Sequence, residues 1–188
     1  MRLEQILATL IIALLAGTIG AYLVSTGRDP LRNTPPAIVA ALAQVSSSGK
    51  LRCGYSEDPP AFSKEANGAF SGIWYRVAEA LGEQAKLEII WAAPTKPETL
   101  VSDLKAKKFD ALCTGLAPSL LLAKELSFSA PAYLRDGKPI GFVTLAGAHD
   151  LRDFLSMGIG ALHSSGEIEK ILQKFEPQPS PFQRVKAP

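Results

Sequence analysis

The chain has 188 residues, a formal net charge of +2 and 47% hydrophobic residues, enough for one domain with a buried core beyond an N-terminal segment. Its nearly balanced charge argues against a nucleic-acid-binding protein, because phosphate neutralisation needs lysines and arginines clustered on one face. The two cysteines, Cys53 and Cys113, lack the spacing typical of zinc, haem or redox sites, so we expect neither a metal nor a cofactor.

The first predicted element is an apolar segment from Ile6 to Val24 that contains no charged residue. As a helix it would span about 29 Å, which matches the hydrocarbon core of a bilayer. The run is longer than the apolar region of a cleaved signal peptide, and Ile19 occupies the −3 position of the candidate cleavage site after Ala21. The segment therefore favours an uncleaved transmembrane anchor within residues 1–26, with a cleaved signal peptide as the alternative.

Small residues recur every four positions in this segment, at Ala13, Gly17 and Ala21. Such a stripe would let another membrane helix approach closely, although the same residues are equally typical of a lone anchor. Arginines occur on both sides of the segment, so the charge pattern does not fix its orientation. Residues 27–36, rich in proline and polar residues, are predicted to form a linker.

Beyond the linker, helical and strand patterns alternate along the chain. In order they predict a helix after Pro36 that ends at Ser46 to Gly49, a strand at 51–55, a helix at 72–84, a strand at 86–92, a helix at 97–107, strands at 109–115 and 139–145, and two helices within 150–175 that are separated near Gly158. This alternation predicts an α/β fold with βαβ crossovers, in which a mainly parallel sheet carries helices on both faces.

Four stretches stand at the joints of these elements: GKLRCGY, PPAFSKEANGAFSGIWYRVAEALG, LVSDLKAKKFDALCTGLA and ELSFSAPAY. Together with the order of the elements, they resemble the family 3 periplasmic solute-binding proteins, the amino-acid receptors of ABC transporters. The resemblance extends over about residues 37–175. It implies a type II periplasmic-binding-protein fold and a location on the periplasmic side of a bacterial inner membrane, with the N-terminus of the single-pass anchor in the cytoplasm.

The second lobe of that family has no counterpart in this sequence. After SAPAYLRDG the chain passes directly into KPIGFVTL, which resembles the family's return strand, so we expect a short turn near residues 135–138 in place of the lobe. The predicted organisation is an anchor at 1–26, a linker at 27–36, a single lobe at 37–176 and a proline-rich, irregular tail at 177–188.

Few ligand-binding groups of the family carry over to this chain. The matching residues are Phe62, Thr114 and Gly115. Pro59 stands where the family has a stacking aromatic residue, Arg76 where it has an aspartate, and Leu122 where an arginine holds the ligand carboxylate. Leucine offers only apolar surface in place of a guanidinium, so we do not expect a small-molecule ligand to bind well.

Three apolar residues are predicted at the edge that the second lobe would cover, namely Trp74, Tyr75 and Leu122. If exposed, they would form a patch of the kind that marks a protein partner; their burial under the C-terminal helices is the alternative. Together with Phe62, Arg76, Thr114 and Gly115, they make up the predicted ligand groove or docking edge.

No constellation of residues predicts catalysis. His149 and His163 fall at predicted helix boundaries without a cysteine or carboxylate at ligand spacing. Cys53 and Cys113 fall on neighbouring predicted strands, where a disulfide and two free buried thiols are both open. The densest basic cluster is typical of a solvated helix end and consists of Lys105, Lys107 and Lys108.

Two functional hypotheses follow. The first is a non-catalytic, membrane-anchored periplasmic domain that acts as an accessory or docking subunit of a larger membrane complex and contacts the lipid bilayer through residues 6–24. The second is a reduced substrate-binding component of an ABC-type amino-acid transporter or sensor.

Overall fold

The computed structural model describes residues 40–175 and 182–185. The predicted anchor with Ala13, Gly17 and Ala21, and the predicted linker, lie outside these residues. Within the described ranges, no helix has the length and apolar character needed to cross a membrane. The chain divides into two units, residues 1–35 and 36–188, and every described residue belongs to the second.

The second unit is built from five helices and nine strands in its described part. In chain order they are α1 (Ala40–Ser48), β1 (Lys50–Tyr55), β2 (Ser63–Lys64), β3 (Phe70–Ser71), α2 (Ile73–Ala85), β4 (Glu88–Pro94), α3 (Leu100–Lys105), β5 (Ala111–Leu116), β6 (Leu126–Phe128), β7 (Tyr133–Arg135), β8 (Lys138–Leu145), α4 (His149–Ser164), α5 (Glu167–Phe175) and β9 (Phe182–Gln183).

Most strands join one mixed sheet in the order β4-β1-β5-β8-β7-β9, with β6 also paired to β8. Strands β4, β1 and β5 are parallel, whereas β8 runs antiparallel to β5, β6 and β7, and β9 runs antiparallel to β7. The expectation of a mainly parallel sheet is therefore wrong for its second half. The reason is that β7 and β8 follow one another directly, and a short connection can join only antiparallel strands.

The predicted short turn near residues 135–138 is confirmed. Arg135 pairs with Lys138, so Asp136 and Gly137 alone connect β7 to β8. Both residues have positive φ angles, 52° and 73°, as a tight hairpin turn requires. Strand β8 thus follows β7 directly and completes the sheet without an intervening domain.

The core lies on both faces of the sheet because β5 alternates its side chains between them. Ala111 and Cys113 face the larger cluster, which α1, α2, α4 and α5 complete, while Leu112 faces a smaller cluster beneath α3. Helices on both faces are therefore confirmed.

Two details of the C-terminal region differ from expectation. Helix α4 continues through Gly158, and the break to α5 falls at Gly166, which has a φ of +73°. Gly158 serves close packing instead, because a Cβ atom there would lie 2.8 Å from a methyl carbon of Leu81. In the predicted irregular tail, Phe182 and Gln183 form β9.

Candidate functional site

A cleft of about 280 Å³ opens where β1, β4 and β5 end, at the carboxyl edge of the parallel strands. We name it the carboxyl-edge cleft. Its lining combines acidic, basic, hydroxyl and apolar groups: Ser56, Glu57, Asp58, Thr95, Lys96, Pro97, Leu100, Leu112, Thr114, Gly115 and Leu116. In open α/β sheets this edge is the usual position for ligands, and it contains two of the predicted site residues, Thr114 and Gly115.

Thr114 holds the backbone of the cleft through its hydroxyl oxygen. Its side chain is 7% exposed, and its Oγ1 accepts a hydrogen bond of 3.0 Å from the backbone N–H of Ser56. This bond joins the end of β5 to the loop after β1. The neighbouring Asp58 forms an ion pair with Arg135, so the same loop is also tied to β7.

Trp74 is a core residue, which contradicts its predicted place in an exposed patch. It is 1% exposed, packs on Phe142 and Tyr133, and donates a hydrogen bond of 2.9 Å from Nε1 to the Tyr133 hydroxyl. Burial raises the pKa of that hydroxyl. The indole also covers Gly115, so closely that a Cβ atom on Gly115 would lie 2.2 Å from Trp74 Cζ2. The alternative prediction is burial of Trp74 under the C-terminal helices. Trp74 is buried, but the side chains that cover it, Tyr133 and Phe142, come from β7 and β8.

Phe62 and Tyr75 belong to an aromatic cluster on the α2 side of the sheet. Phe62 is 0% exposed, and its ring centroid lies 4.7 Å from that of Trp91. Tyr75 is half-buried and lies 6.1 Å from Trp91 by the same measure. Phe62 therefore cannot stack on a ligand without a rearrangement of the core.

Arg76 lies away from the carboxyl-edge cleft, so its inclusion in one groove with Thr114 is wrong. It is exposed on α2 and lines a charged surface groove between α2 and α5, with Glu79, Glu83 and Lys170. The reason is helical geometry: two positions beyond Trp74, which faces the sheet, a side chain points to the far side of the helix.

Leu122 is partly buried against the smaller core cluster under α3, whereas Leu120 and Leu121 do not belong to that cluster. Leu120 is 92% exposed and Leu121 is 89% exposed. All three leucines lie in the turn that follows β5, where Leu122 and Ala123 donate backbone hydrogen bonds to Ser119. Successive residues of such a turn point in different directions, so only one can face the core. The three consecutive leucines at 120–122 are the feature of the sequence from which an exposed apolar pair could have been predicted.

An ion pair with a buried carboxylate supports the opposite wall of the cleft. Lys108 Nζ donates a hydrogen bond of 2.7 Å to Asp103 Oδ1, and the Thr95 hydroxyl donates one of 2.8 Å to Oδ2. These donors, Lys108 first and then Thr95 and Thr99, lower the pKa of Asp103 from 3.8 to about 2. The carboxylate thereby fixes Thr95, which lines the cleft.

We expect the domain to lose stability in acid through Asp103. Because the folded-state pKa is depressed to about 2, the stabilisation is complete above pH 3.8 and is lost as the pH falls through 2. Asp103→Asn should therefore lower the melting temperature at pH 6 and flatten its dependence on pH between 4 and 2. Thermal unfolding at several pH values measures this, with Glu83→Gln, an exposed carboxylate on α2, as the control. Equal acid dependence in wild type and Asp103→Asn would contradict the assignment.

Cys53 on β1 and Cys113 on β5 are joined by a disulfide. Both residues are 0% exposed, and the bond spans 60 positions of sequence. It links two parallel strands just before they reach the cleft. Within the described residues no group of three or more histidine, cysteine, aspartate or glutamate side chains could hold a metal ion.

The fold and the cleft define one lobe of the periplasmic-binding-protein type. The family model for bacterial extracellular solute-binding proteins, family 3, matches residues 51–178. The chain therefore belongs to this family, and the resemblance predicted from its sequence is confirmed.

Solved structures share the fold at low sequence identity. The arginine-bound form of domain 1 from TmArgBP is 23% identical with a TM-score of 0.56, and the alignment covers 63% of this chain and 98% of that one. An ancestral amino-acid-binding protein, a precursor of cyclohexadienyl dehydratase, is 14% identical with a TM-score of 0.63, covering 71% and 98%. A periplasmic His/Glu/Gln/Arg/opine family-binding protein from Silicibacter pomeroyi, in complex with lysine, is 10% identical with a TM-score of 0.59, covering 66% and 96%. No curated protein matches the sequence significantly.

Proposed function

We propose that this chain is a non-catalytic, membrane-anchored accessory subunit whose periplasmic lobe docks on a larger membrane complex. The docking surface is the turn after β5, with Leu120 and Leu121 at its centre. The single observation that carries the proposal is that these adjacent leucines are 92% and 89% exposed.

Covering the two exposed leucines would stabilise a complex with a partner protein. Burying a leucine side chain stabilises a complex by roughly 2 kcal/mol, so the pair contributes about 4 kcal/mol when a partner covers it. That free energy corresponds to roughly a thousandfold in affinity. Isolated exposed leucines are common on soluble proteins, but two neighbours at the tip of one turn form a compact contact for an apolar surface.

The groups expected to hold a small solute are replaced, buried or partly engaged in other contacts. Leu122 replaces the arginine of the family pattern and packs into the core beneath α3. Phe62 is fully buried, and the Thr114 hydroxyl accepts a hydrogen bond from Ser56. A single lobe also lacks the closing movement that removes water from a ligand. These features favour a protein contact over capture of a solute.

The proposed location is the periplasmic side of a bacterial inner membrane. Support comes from the extracellular role of the family and from the Cys53–Cys113 disulfide, since such bonds persist in oxidising compartments. The apolar segment at residues 6–24 would hold the lobe at the bilayer. The proposed absence of catalysis is supported by the positions of the histidines: His163 contacts the Pro131 carbonyl oxygen and His149 begins α4, so neither lines the cleft.

Replacement of both exposed leucines tests the proposal. We expect the full chain, isolated from its native membrane in mild detergent, to carry a stoichiometric membrane partner that Leu120→Ser/Leu121→Ser loses. Met157→Ser is the matched control, because Met157 is a 67% exposed apolar residue that belongs to α4 and not to the turn. Retention of the partner by the leucine variant, or its equal loss from the Met157 variant, would contradict the proposal, as would elution of the wild type alone.

A second candidate function is a one-lobe receptor for a small solute. The cleft itself favours it, as does the arginine-bound state of the isolated domain 1 from TmArgBP. In that case an amino acid or organic acid at one hundred times its Kd would stabilise the chain by about 2.7 kcal/mol. Melting of the full chain against a library of such compounds distinguishes the two functions, with Lys96→Ala to remove the cleft ammonium group and Lys170→Ala as the control.

A further inference from the structure

A second cavity opens at the opposite edge of the sheet, where β5 begins and β8 ends. Its volume is about 240 Å³, and we name it the amino-edge cavity. The walls come from α1, the end of α3, the loop before β5 and the loop after β8. The lining residues are Ala41, Gln44, Leu104, Lys105, Lys107, Phe109, Asp110, Leu145, Ala146 and Ala148. It shares no residue with the carboxyl-edge cleft.

The lining of this cavity is mostly apolar. Leu104 and Phe109, 3% and 1% exposed, belong to the core cluster beneath α3 and make its base. Leu145 and small alanine side chains complete the walls. An apolar recess suits the hydrocarbon part of a ligand, because burial there removes apolar surface from water.

The charges around the opening leave one cation uncompensated. Asp110 is engaged by Arg52, which donates hydrogen bonds of 3.2 Å from Nε and 2.6 Å from a terminal nitrogen. Lys105 forms an ion pair of 2.7 Å with Glu125. Lys107 has no acidic partner within the described residues, and it is exposed. The lining therefore combines an apolar base with an available ammonium group.

We propose that the amino-edge cavity binds an anionic lipid, with its hydrocarbon chain against the partly buried Ala41, Leu145 and Ala148 and its acidic headgroup against Lys107. Charge complementarity selects the headgroup, because an ammonium group favours a carboxylate or phosphate and disfavours a cation. The inference does not depend on the docking function, because neither exposed leucine is among the residues that line the cavity. Lys105, Lys107 and Lys108 are all exposed at or just after the end of α3, as expected for a solvated helix end, and the proposal adds a binding role for Lys107.

A photoreactive fatty acid tests this assignment. The full chain in non-ionic detergent is irradiated with a diazirine-bearing dodecanoic acid, and the adducts are mapped by peptide mass spectrometry. We expect adducts within residues 41–48, 104–110 and 145–148. Dodecylamine with the same diazirine should label these stretches about tenfold less, since a charge-assisted contact is worth about 1.5 kcal/mol or more.

Variants separate the headgroup from the hydrocarbon contact. Lys107→Glu should lower labelling about tenfold, whereas Lys107→Arg should retain it. Lys170→Glu makes the same charge change at a 70% exposed position on α5 and should leave labelling unchanged. Ala146→Trp, at an exposed position of the lining, should fill the cavity and abolish labelling there.

Three results would overturn the proposal. They are adducts confined to other stretches such as residues 6–24, equal labelling by the acid and the amine, and equal effects of Lys107→Glu and Lys170→Glu. Should Lys107→Glu fail to fold, Ala146→Trp and the comparison of acid with amine still decide the question.

Discussion

Gly115→Ala is expected to destabilise the domain by roughly 4 kcal/mol, a large part of the stability of a domain of this size. Gly115 has a φ of +70°, in the left-handed region that side chains disfavour. In addition, the new Cβ atom would lie 2.2 Å from Trp74 Cζ2 and 2.7 Å from Ile140 Cγ2. Trp74 cannot retreat, because its Nε1 is bonded to Tyr133 and its ring packs on Phe142.

Gly137→Ala provides the matched control for this substitution. Gly137 has a nearly equal φ of +73°, but no atom lies within 4 Å of the position that a Cβ atom would take there. It should therefore lose only the backbone contribution, about 1–2 kcal/mol. Urea unfolding of the two full-length variants in mild detergent, followed by tryptophan fluorescence, measures both losses. Equal losses would show that the contact between Trp74 and Gly115 is not tight.

Loss of the disulfide should have an effect of similar size. A bond that closes a loop of 60 residues restricts the unfolded chain by about 4 kcal/mol. Because both sulfur atoms are buried, a reductant should act on the folded protein slowly and on the unfolded protein at once. We expect Cys53→Ala/Cys113→Ala to unfold at a markedly lower urea concentration than the oxidised wild type.

The double variant also supplies the control for reduction. Wild type that is unfolded with reductant and then refolded should match the variant, and the reductant should not affect the variant itself. An unchanged unfolding midpoint for reduced wild type would mean that packing between β1 and β5 holds these strands without the bond.

The first half of the lobe could be predicted from sequence because its elements are long and periodic. The strands around Cys53 and Cys113 and the helix that begins at Ile73 lie within a few residues of their predicted positions. The strands β2, β3 and β9 could not be predicted, because a strand of two residues is too short to show a periodic pattern. The predicted break at Gly158 was wrong because the glycine accommodates Leu81, a tertiary contact that local pattern does not encode.

The place of Thr114 and Gly115 in the fold could be predicted from the sequence, whereas the surroundings of the other candidate residues could not. The order of elements located Thr114 and Gly115 at the carboxyl edge, where the cleft lies. Sequence could not show that Trp74 turns inward, since its burial depends on Tyr133 and Phe142 from strands far along the chain. Nor could it show that Leu122 is the one leucine of its run that faces the core, because short turns do not fix side-chain direction as long helices do.

The turn at Asp136 and Gly137 has a consequence for the insertion of other domains into this fold. Both residues are exposed, and the strands on either side are in register up to Arg135 and Lys138. A foreign module grafted there would leave and re-enter through adjacent ends, and the sheet beneath it would keep its pairing. We therefore expect the tip of this hairpin to accept an inserted domain, or to lose one, while the pairing of β7 with β8 stays unchanged.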